Sequence, residues 1–402
     1  MRIYYMPAVK KEPLLPGWLL LMGALTALGP LAIDLYLPAF PSIAQGLHAT
    51  EGQVERTLAS YLFGLALAQM IYGPMADRYG RKLPLIGGLV IFTIASVVCT
   101  LTNDIEHLTA WRIVQALGGA AGMVIPRAVI RDNYDTREAS KALSLLILIM
   151  GVTPILGPVL GGQVLLFVGW RGVFGLMAAG GALLLLAALL TMRETLPPEK
   201  VTPLRISIIA QNYWSLMHDR QFMCFSLAGA FGSAGLFTYI SGTPRVLMGI
   251  YGVDPQHFGL IFALGAASLI LASQASARLL DRYSLEGLLK SAQVSIVLTT
   301  LAGLALTLLD WLTLPLLMLC LMGFMASQGF VNPNAAALAL ARQGKRLGVA
   351  SALMGTMQML CGALAGLAIS HWQSHTAIPL TGILAFCAFV SWLFGRIAMR
   401  AT

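Results

Sequence analysis

Two charged residues, Asp34 and Arg112, lie inside long apolar stretches of this 402-residue sequence. Asp34 falls in LAIDLYLPAFP and is the only acid expected to be buried in the first half's apolar spans. Arg112 falls in HLTAWRIVQALGG, where Gln115 extends the polar face by one helical turn. Charges in such surroundings are costly and normally have a partner or line a wet cavity. A carboxylate in a low-dielectric site favours its neutral form and can carry a proton, whereas a nearby guanidinium favours the ionised form.

Both residues also have simpler interpretations. Asp34 could be a helix-end acid that faces the outer water. Arg112 could extend its side chain to the interface, because it lies about one turn inside its span. Their predicted depths nevertheless agree, since Asp34 is near the outer end of the first span and Arg112 enters the fourth span from the outer side. We therefore predict that Asp34 and Arg112 lie at similar depth and act together in proton coupling.

A second motif, GPMADRYGRK at residues 73–82, connects the second and third predicted spans. Gly73 is expected to permit close helix approach, and Gly80 to allow a tight turn. Asp77 lies at a helix end, where it can pair with neighbouring helices and their dipoles. A basic loop that only obeys topology rules would explain Arg81 but not the glycines or Asp77. The motif therefore predicts a gating role for Gly73, Asp77, Arg78, Gly80 and Arg81.

A third motif, MGVTPILGPVLGG at residues 150–162, places two prolines and four glycines within 13 residues. Proline removes a backbone hydrogen bond and kinks a helix, and glycine permits close helix packing. The motif favours a bent, tightly packed hinge that seals the outer side or flexes there. Ordinary packing of small residues is the alternative. The residues assigned to this gating element are Gly151, Pro154, Gly157, Pro158, Gly161 and Gly162.

The composition shows which elements must position these residues. Apolar residues make up 57% of the chain and charged residues 11%, against about 25% in soluble domains. This balance excludes a soluble globular enzyme and a disordered chain, and it is typical of a protein dissolved mainly in lipid. The apolar runs predict twelve spans at 17–38, 55–76, 84–102, 107–130, 140–165, 171–192, 222–245, 256–280, 286–308, 312–340, 347–370 and 377–397.

The distribution of Lys and Arg predicts the orientation of these spans. With the N-terminus inside, the inner segments carry 22 of the 26 basic residues, whereas the outer side carries Arg56, Arg171 and Arg245. Both termini are therefore expected to be cytoplasmic. The net charge of +9 follows from the same rule, and the absence of a basic tract with interleaved aromatics argues against nucleic-acid binding. The five cysteines show no CxxC spacing, so neither a disulfide nor a metal site is expected.

An internal repeat at an offset of 204 residues divides the chain into two halves. It aligns Asp77-Arg78-Tyr79 with Asp281-Arg282-Tyr283, and several glycines follow the same offset. Coincidence among apolar helices is the alternative, but the charged match lies in corresponding loops. We predict an N-terminal half at 1–192, a linker at 193–221 with a possible interfacial helix at 205–217, and a C-terminal half at 222–402.

Together these motifs resemble the major facilitator superfamily over nearly the whole chain. GPMADRYGRK is similar to the loop motif between the second and third helices, Arg112 to the fourth-helix arginine, and LGPVLGG to the fifth-helix motif of antiporters. LAIDLYLPAFP and RETLPPE resemble the bicyclomycin-resistance (Bcr/CflA) group of drug:proton antiporters. The resemblance implies an all-α membrane protein with the major facilitator fold and twelve transmembrane helices in two six-helix halves. It also implies a central cavity and coupling roles for Asp34 and Arg112.

One departure from the family pattern concerns the second half. It keeps Asp281 and Arg282 but lacks the glycine and the later arginine of the loop motif. We therefore predict no specific function for this loop.

The substrate cavity is expected to be large and mostly apolar, with few polar anchors. Neutral or weakly charged solutes are favoured over dications, because Asp34 is the one expected intramembrane acid. We predict export of drug-like molecules of the bicyclomycin or chloramphenicol type, driven by protons, from a monomer in the bacterial inner membrane that needs no cofactor. A metabolite or amino-acid carrier on the same fold is the alternative. The candidate substrate contacts are Tyr36, Tyr61, Gln115, Met150, Tyr239, Asn332, Asn334 and Gln358.

Overall fold

The computed structural model describes residues 17–197, 199, 206–372 and 374–400, and all regular secondary structure in these ranges is helical. The predicted inner residues Arg2, Lys10, Lys11, Lys200 and Arg205 lie outside the described residues. The helices are α1 Gly17–Asp34, α2 Phe40–Gly46, α3 Glu51–Tyr79, α4 Lys82–Leu101, α5 Ile105–Asn133, α6 Thr136–Thr191, α7 Ile206–Met217, α8 Arg220–Pro244, α9 Pro255–Leu279, α10 Leu285–Leu308, α11 Leu314–Leu340, α12 Leu347–His371 and α13 Ile378–Arg400.

Eleven helical stretches among the described residues are long and apolar enough to cross a membrane. One of them, Lys141–Thr191, has 51 residues, whereas a single span needs about 20. Gly169 divides this stretch, because its φ of +71° and ψ of −175° are not helical. The fifth and sixth predicted spans are therefore the two parts of α6, and the prediction of an all-α membrane fold with twelve spans is confirmed.

The connection between the first two spans is itself helical. After Asp34 the chain forms a short 3₁₀ helix, Leu37–Ala39, which leads into α2. The next helix, α3, begins with a capping box, in which the Thr50 hydroxyl accepts from the Gln53 N–H at 3.3 Å and the Gln53 side chain accepts from the Thr50 N–H at 2.8 Å. This reciprocal pair satisfies two of the N–H groups that a helix start leaves free. The turn therefore fixes where α3 enters the bundle.

Two helix pairs join the first six spans to the last six. We call the end of the bundle that carries Arg81 the inner end and the end that carries Glu51 the outer end, as the Lys and Arg distribution predicts. α3 runs beside α12, and α6 beside α9. Small residues permit both contacts: a Cβ at Gly366 would lie 3.1 Å from the Ala59 Cβ, and one at Gly259 would lie 2.8 Å from the Pro158 carbonyl carbon.

Helix α7, in the segment between the two sets of spans, has one packed and one exposed face. Tyr213 and Leu216 are buried in an apolar cluster with Phe222 and Phe225 of α8, whereas Trp214 is 63% exposed. Burial raises the pKa of Tyr213. The sequence predicts an interfacial helix at 205–217. In the structure α7 covers Ile206–Met217 and packs on the inner end of α8.

Candidate functional site

Arg112 is fully buried, and four neighbouring groups hold its guanidinium. Nη1 donates to Gln115 Oε1 at 2.6 Å, and Nη2 donates to the Ala32 carbonyl at 3.0 Å. The guanidinium carbon lies 4.3 Å from the centroid of the Tyr36 ring and 4.2 Å from that of Tyr61. A buried cation is thus stabilised by two aromatic faces and two polar oxygens, an arrangement in which each cation–π contact contributes roughly 0.5–2 kcal/mol.

Three predicted substrate contacts belong to the surroundings of Arg112. Gln115 Nε2 donates to Ser96 Oγ at 2.7 Å, which fixes the side chain that receives Arg112. The Tyr61 hydroxyl donates to a main-chain carbonyl of α1 at 3.1 Å, and the Tyr36 hydroxyl lies 3.2 Å from Thr57 Oγ1. Because their polar atoms are engaged here, Tyr36, Tyr61 and Gln115 position Arg112 in this arrangement of the helices.

Asp34 is the last residue of α1 and is only 3% exposed. Among the described residues, none of the hydrogen bonds or ion pairs involves its carboxylate. Asp34 and Arg112 thus do not form an ion pair within the described residues. Arg112 instead bonds to the Ala32 carbonyl, two residues before Asp34, so the two charged residues lie at the same level of the bundle.

Glycines of the 150–162 motif let α6 approach α1 at Asp34. A Cβ at Gly157 would lie 2.6 Å from the Asp34 Cβ, and a Cβ at Gly161 would overlap the Leu35 carbonyl oxygen. Real Cβ atoms do not come this close, so side chains at either position would force the helices apart. The two glycines thus shield Asp34 from one side.

The other face of the same motif contacts α9. A Cβ at Gly162 would lie 3.1 Å from the Pro255 carbonyl oxygen, and the buried Pro158 packs against Gly259. Gly151 meets α9 further inward at ordinary van der Waals distance, and Pro154 is half-buried. The motif therefore lies between α1 and the second set of spans, where a change in helix spacing affects both.

The loop between α3 and α4 is held by a buried arginine. Arg81 Nε donates to Asp132 Oδ2 at 2.8 Å, and its Nη1 donates to Asp77 Oδ1 at 2.6 Å. Gly80 has a φ of +84°, the left-handed region that favours glycine. The turn thus brings Arg81 back against α5 and joins three helix ends.

The position of Gly73 corrects one expectation. A Cβ at Gly73 would meet nothing within 4 Å, so Gly73 does not mediate a close helix contact. The neighbouring Tyr72 and Ala76 are buried, and the Tyr72 hydroxyl approaches Gly88 of α4. Arg78 is exposed at the inner end.

Glu194 completes this inner loop and was not identified from the sequence as a functional residue. Its carboxylate accepts from the main-chain N–H groups of Arg81 at 2.8 Å and Lys82 at 3.1 Å, at the start of α4. Partial burial opposes ionisation, but these bonds, with those from Leu196 and Thr195, outweigh it and lower the pKa of Glu194. The RETLPPE segment is therefore bound to the GPMADRYGRK loop through one carboxylate.

Polar side chains of α11 and α12 gather around two glycines of α8. Gln328 Nε2 donates to the Gly232 carbonyl, and a Cβ at Gly232 would lie 3.3 Å from Asn332 Oδ1. Gln358 Nε2 is 3.7 Å from the corresponding position at Gly229. Gln328 Oε1 and Asn332 Oδ1 are buried and have no hydrogen-bond partner in the part of the chain that the structure describes. Of this set, Asn332 and Gln358 are predicted substrate contacts, whereas Gln328 was missed.

The three remaining predicted contacts have other neighbours. The Tyr239 ring stacks on Phe262 with centroids 4.9 Å apart. Asn334 Nδ2 donates to Ser276 Oγ at 3.0 Å and to a carbonyl of its own helix, as expected for a packing role. Met150 Sδ is 3.6 Å from Arg127 Nη2 at the side of α6. In the described part of the chain, no hydrogen bond connects these three residues to the Gln328 cluster.

A second buried acid corrects the expectation that Asp34 is alone. Glu55, near the start of α3, is 0% exposed. The sequence places it at the edge of the second span, where acids are usually solvated, and so gave no sign of burial.

Twelve spans in two contacting sets, with buried charged and amide side chains near the contact, define a polytopic membrane transporter. The sequence matches the Major Facilitator Superfamily over residues 22–366. The chain therefore belongs to this superfamily.

Named relatives cover nearly the full length of the chain. It is 36% identical to the "Uncharacterized MFS-type transporter YdgK" of Bacillus subtilis strain 168, over 94% of this chain and 93% of the relative. It is 30% identical to a "Bicyclomycin resistance protein homolog" of Haemophilus influenzae, over 93% and 94%. It is 33% identical to "Multidrug resistance protein MdtL" of Klebsiella pneumoniae, over 93% of each.

Solved transporter structures share the fold. A bacterial homolog of the human lysosomal transporter Spinster superposes with a TM-score of 0.75, at 18% identity over 98% of each chain. The xylose transporter XylE from E. coli gives a TM-score of 0.71 at 14% identity, over 94% of this chain and 97% of that one. Identities this low show the fold alone.

Proposed function

We propose that this protein is a proton-driven antiporter that exports drug-like small molecules from the bacterial cytoplasm. The observation that carries the proposal is Asp34, which is buried without a hydrogen-bond or ion-pair partner in the described residues, beside Gly157 of the 150–162 motif. An isolated buried carboxylate is stable only when it is neutral, so it binds a proton when enclosed and releases it when wet. Relatives named for bicyclomycin resistance and multidrug resistance support the drug export.

Alternating access would couple this proton to the cargo. When the outer side is open, Asp34 takes a proton from the outer water and becomes neutral. Closure of α6 on α1 and α9 then buries it, and opening of the inner side releases the proton as the solute binds. Arg112 contributes a fixed positive charge at the same level of the bundle, which its contacts with Gln115 and Ala32 keep in place.

The cluster around Gly232 is our candidate for the solute contact in the second half. Gln328 Oε1 and Asn332 Oδ1 are acceptors without partners, and an unsatisfied buried acceptor is stabilised by a donor from a ligand. A neutral solute with hydroxyl or amide N–H groups has the required chemistry. The two halves at 1–192 and 222–402 would enclose it, in a monomer whose termini are both cytoplasmic.

Everted membrane vesicles test this proposal directly. A panel of antibiotics, amino acids and sugars would be added to energised vesicles, with uptake and proton release recorded together. Asp34→Asn should abolish solute-driven proton release and reduce uptake at least tenfold. Asp281→Asn is the matched control, because Asp281 is an exposed acid of an inner loop. Normal proton release in Asp34→Asn, or uptake confined to amino acids or sugars, would contradict the proposal.

A further inference from the structure

Glu55 lies at the outer end of α3 and is 0% exposed. Neither of its carboxylate oxygens has a hydrogen-bond partner among the described residues. Such a group is costly to bury as an anion, by several kcal/mol even after the surroundings relax. Burial without a partner therefore favours the neutral carboxylic acid in this arrangement of the helices.

Arg245 is the cation that acts on Glu55, but its guanidinium is already engaged by other groups. Arg245 begins the π-helical turn that continues α8, and its Nε lies 3.2 Å from Glu51 Oε2. Its Nη2 donates to the Ser374 carbonyl at 2.8 Å, beyond the end of α12. The Glu51–Arg245 pair thus links α3 to the second set of spans at the outer end. Arg245 Nη1 is buried and has no partner among the residues described, so this arginine has one donor that is not engaged there.

Within the described ranges, the other helices around Glu55 add no opposite charge that acts on it. Ser241 of α8, one turn before Arg245, has a buried hydroxyl without a partner and lies near Gly366 of α12. On α3 itself, Arg56 pairs with Glu106 of α5. The remaining charged groups at the outer end of α5, Asp104 and His107, are exposed and contact each other. The charged groups that act on Glu55 are thus Arg245 and Glu51.

We propose that Glu55 is a second proton-binding site, filled from the outer water each time the outer side closes. When α3 and α8 separate, water reaches the carboxylate, which can then ionise because water solvates the anion. Closure requires the carboxylate to take up one proton and become a carboxylic acid, and no other bond is made or broken. Reopening returns the proton to the outer water, because Glu55 lies within the outer contact.

This site differs from Asp34 in what its proton does. Asp34 would carry a proton across the membrane, whereas Glu55 would only make closure depend on outer acidity. One proton per closure changes the closed-to-open ratio by up to about tenfold per pH unit while Glu55 titrates. External acid therefore favours the closed outer side, the state that an exporter must enter to receive solute from inside. The inference rests on the proposed function only in assuming alternating access.

A distance measurement without any solute tests the proposal. Spin labels at Gln45→Cys, an exposed position in α2, and His375→Cys, an exposed position between α12 and α13, would report the outer opening in nanodiscs. The native cysteines would be replaced by alanine, and the background would also carry Asp34→Asn, so that Asp34 does not contribute. Between pH 8 and 5 the closed fraction should rise, following a one-proton curve. Glu55→Gln should remain closed and independent of pH.

Two further variants keep the test decisive. Glu51→Gln, which loses the ion pair but keeps Glu55, should open more readily yet retain the pH response. If Glu55→Gln does not insert, Glu55→Asp serves instead and should shift the midpoint of the curve. A full pH response in Glu55→Gln, or none in the parent, would overturn the proposal. Normal solute-driven proton release in Asp34→Asn vesicles, together with an intact pH response of the outer opening, would count against the proposed function alone.

Discussion

The guanidinium of Arg112 is bonded to the main-chain carbonyl of Ala32 at 3.0 Å, two residues before the end of α1. The cation is thereby attached to the backbone that presents Asp34, and not to the carboxylate itself. Movement of α1 relative to α5 stretches or breaks this bond and changes the distance between the two charges, because the Arg112 backbone belongs to α5 and Asp34 to α1. The electrostatic influence of Arg112 on Asp34 therefore depends on the conformation of the bundle.

Substitution of Arg112 should separate charge from geometry. Arg112→Lys keeps the charge but cannot donate to Gln115 and Ala32 in the same fork, so transport should fall about tenfold, and Arg112→Ala should abolish it. The pH midpoint of solute-driven proton release should move in both variants. Arg171→Lys is the control, because Arg171 also lies over an aromatic ring, that of Trp170 at 4.3 Å. An unchanged midpoint in Arg112→Ala would show that Arg112 does not influence Asp34.

Gly161 should be intolerant of even a methyl group. A Cβ there would overlap the Leu35 carbonyl oxygen, so Gly161→Ala must displace α6 from α1, at a cost of about 1–3 kcal/mol. The apparent melting temperature in detergent should fall, and Asp34 should become accessible to water. Gly180→Ala is matched, because a Cβ at Gly180, in the same helix, would meet nothing within 4 Å. Equal melting temperatures for the two variants would refute the packing argument.

Glu194 should stabilise the inner loop in a pH-dependent way. Its pKa is lowered in the folded protein from an ordinary value of 4.5, so its contribution is complete above about pH 4.5 and is lost as the pH falls through the lowered value. Glu194→Gln should therefore melt below the parent protein at pH 7, by an amount consistent with about 1 kcal/mol for a lost helix cap, and approach it at pH 4. The exposed Glu286 supplies the control, Glu286→Gln. A difference that stays constant with pH would exclude this role.

The Gln328 cluster and Asn334 should respond differently to removal of their amides. Gln328→Leu and Asn332→Leu remove acceptors that lack partners, so they should weaken solute binding with little loss of stability. Asn334→Leu breaks the bond to Ser276 and should lower stability more than affinity. Solute affinity and melting temperature, measured on the same preparations, distinguish the two roles. Unaltered affinity in Gln328→Leu and Asn332→Leu would remove the cluster from the binding site.

The spans were predictable because each is encoded locally, by about 20 apolar residues in succession. The close packing at Gly157 and Gly161 was also accessible, since glycine spacing within one motif indicates a face. Gly73 shows the limit of that reasoning, because its face of α3 has no close neighbour. A glycine permits contact, but only the rotation of the helix decides whether a neighbour is there.

The candidate site was harder to predict wherever it depends on contacts between distant segments. Glu194 bonds to Arg81, 113 positions earlier, and nothing in either segment indicates the partner. Glu55 begins an apolar run in the sequence, so its burial became evident only once α8 and α12 were placed beside it. The sequence predicted a similar depth for Asp34 and Arg112, but depth leaves undefined which way each side chain points about its helix axis.

The contact between α3 and α12 is lined by small or neutral side chains, including Ala59 facing Gly366 and the Ala66 carbonyl facing Thr356 at 3.4 Å. No ion pair crosses it within the described residues. Along such a surface the two sets of spans can shift with a small change in energy, because few hydrogen bonds or ion pairs must be broken. Resistance to motion is then concentrated at the rim, in the Glu51–Arg245 pair. A single ion pair at the outer edge can thus set the energy barrier for the movement of one set of spans against the other.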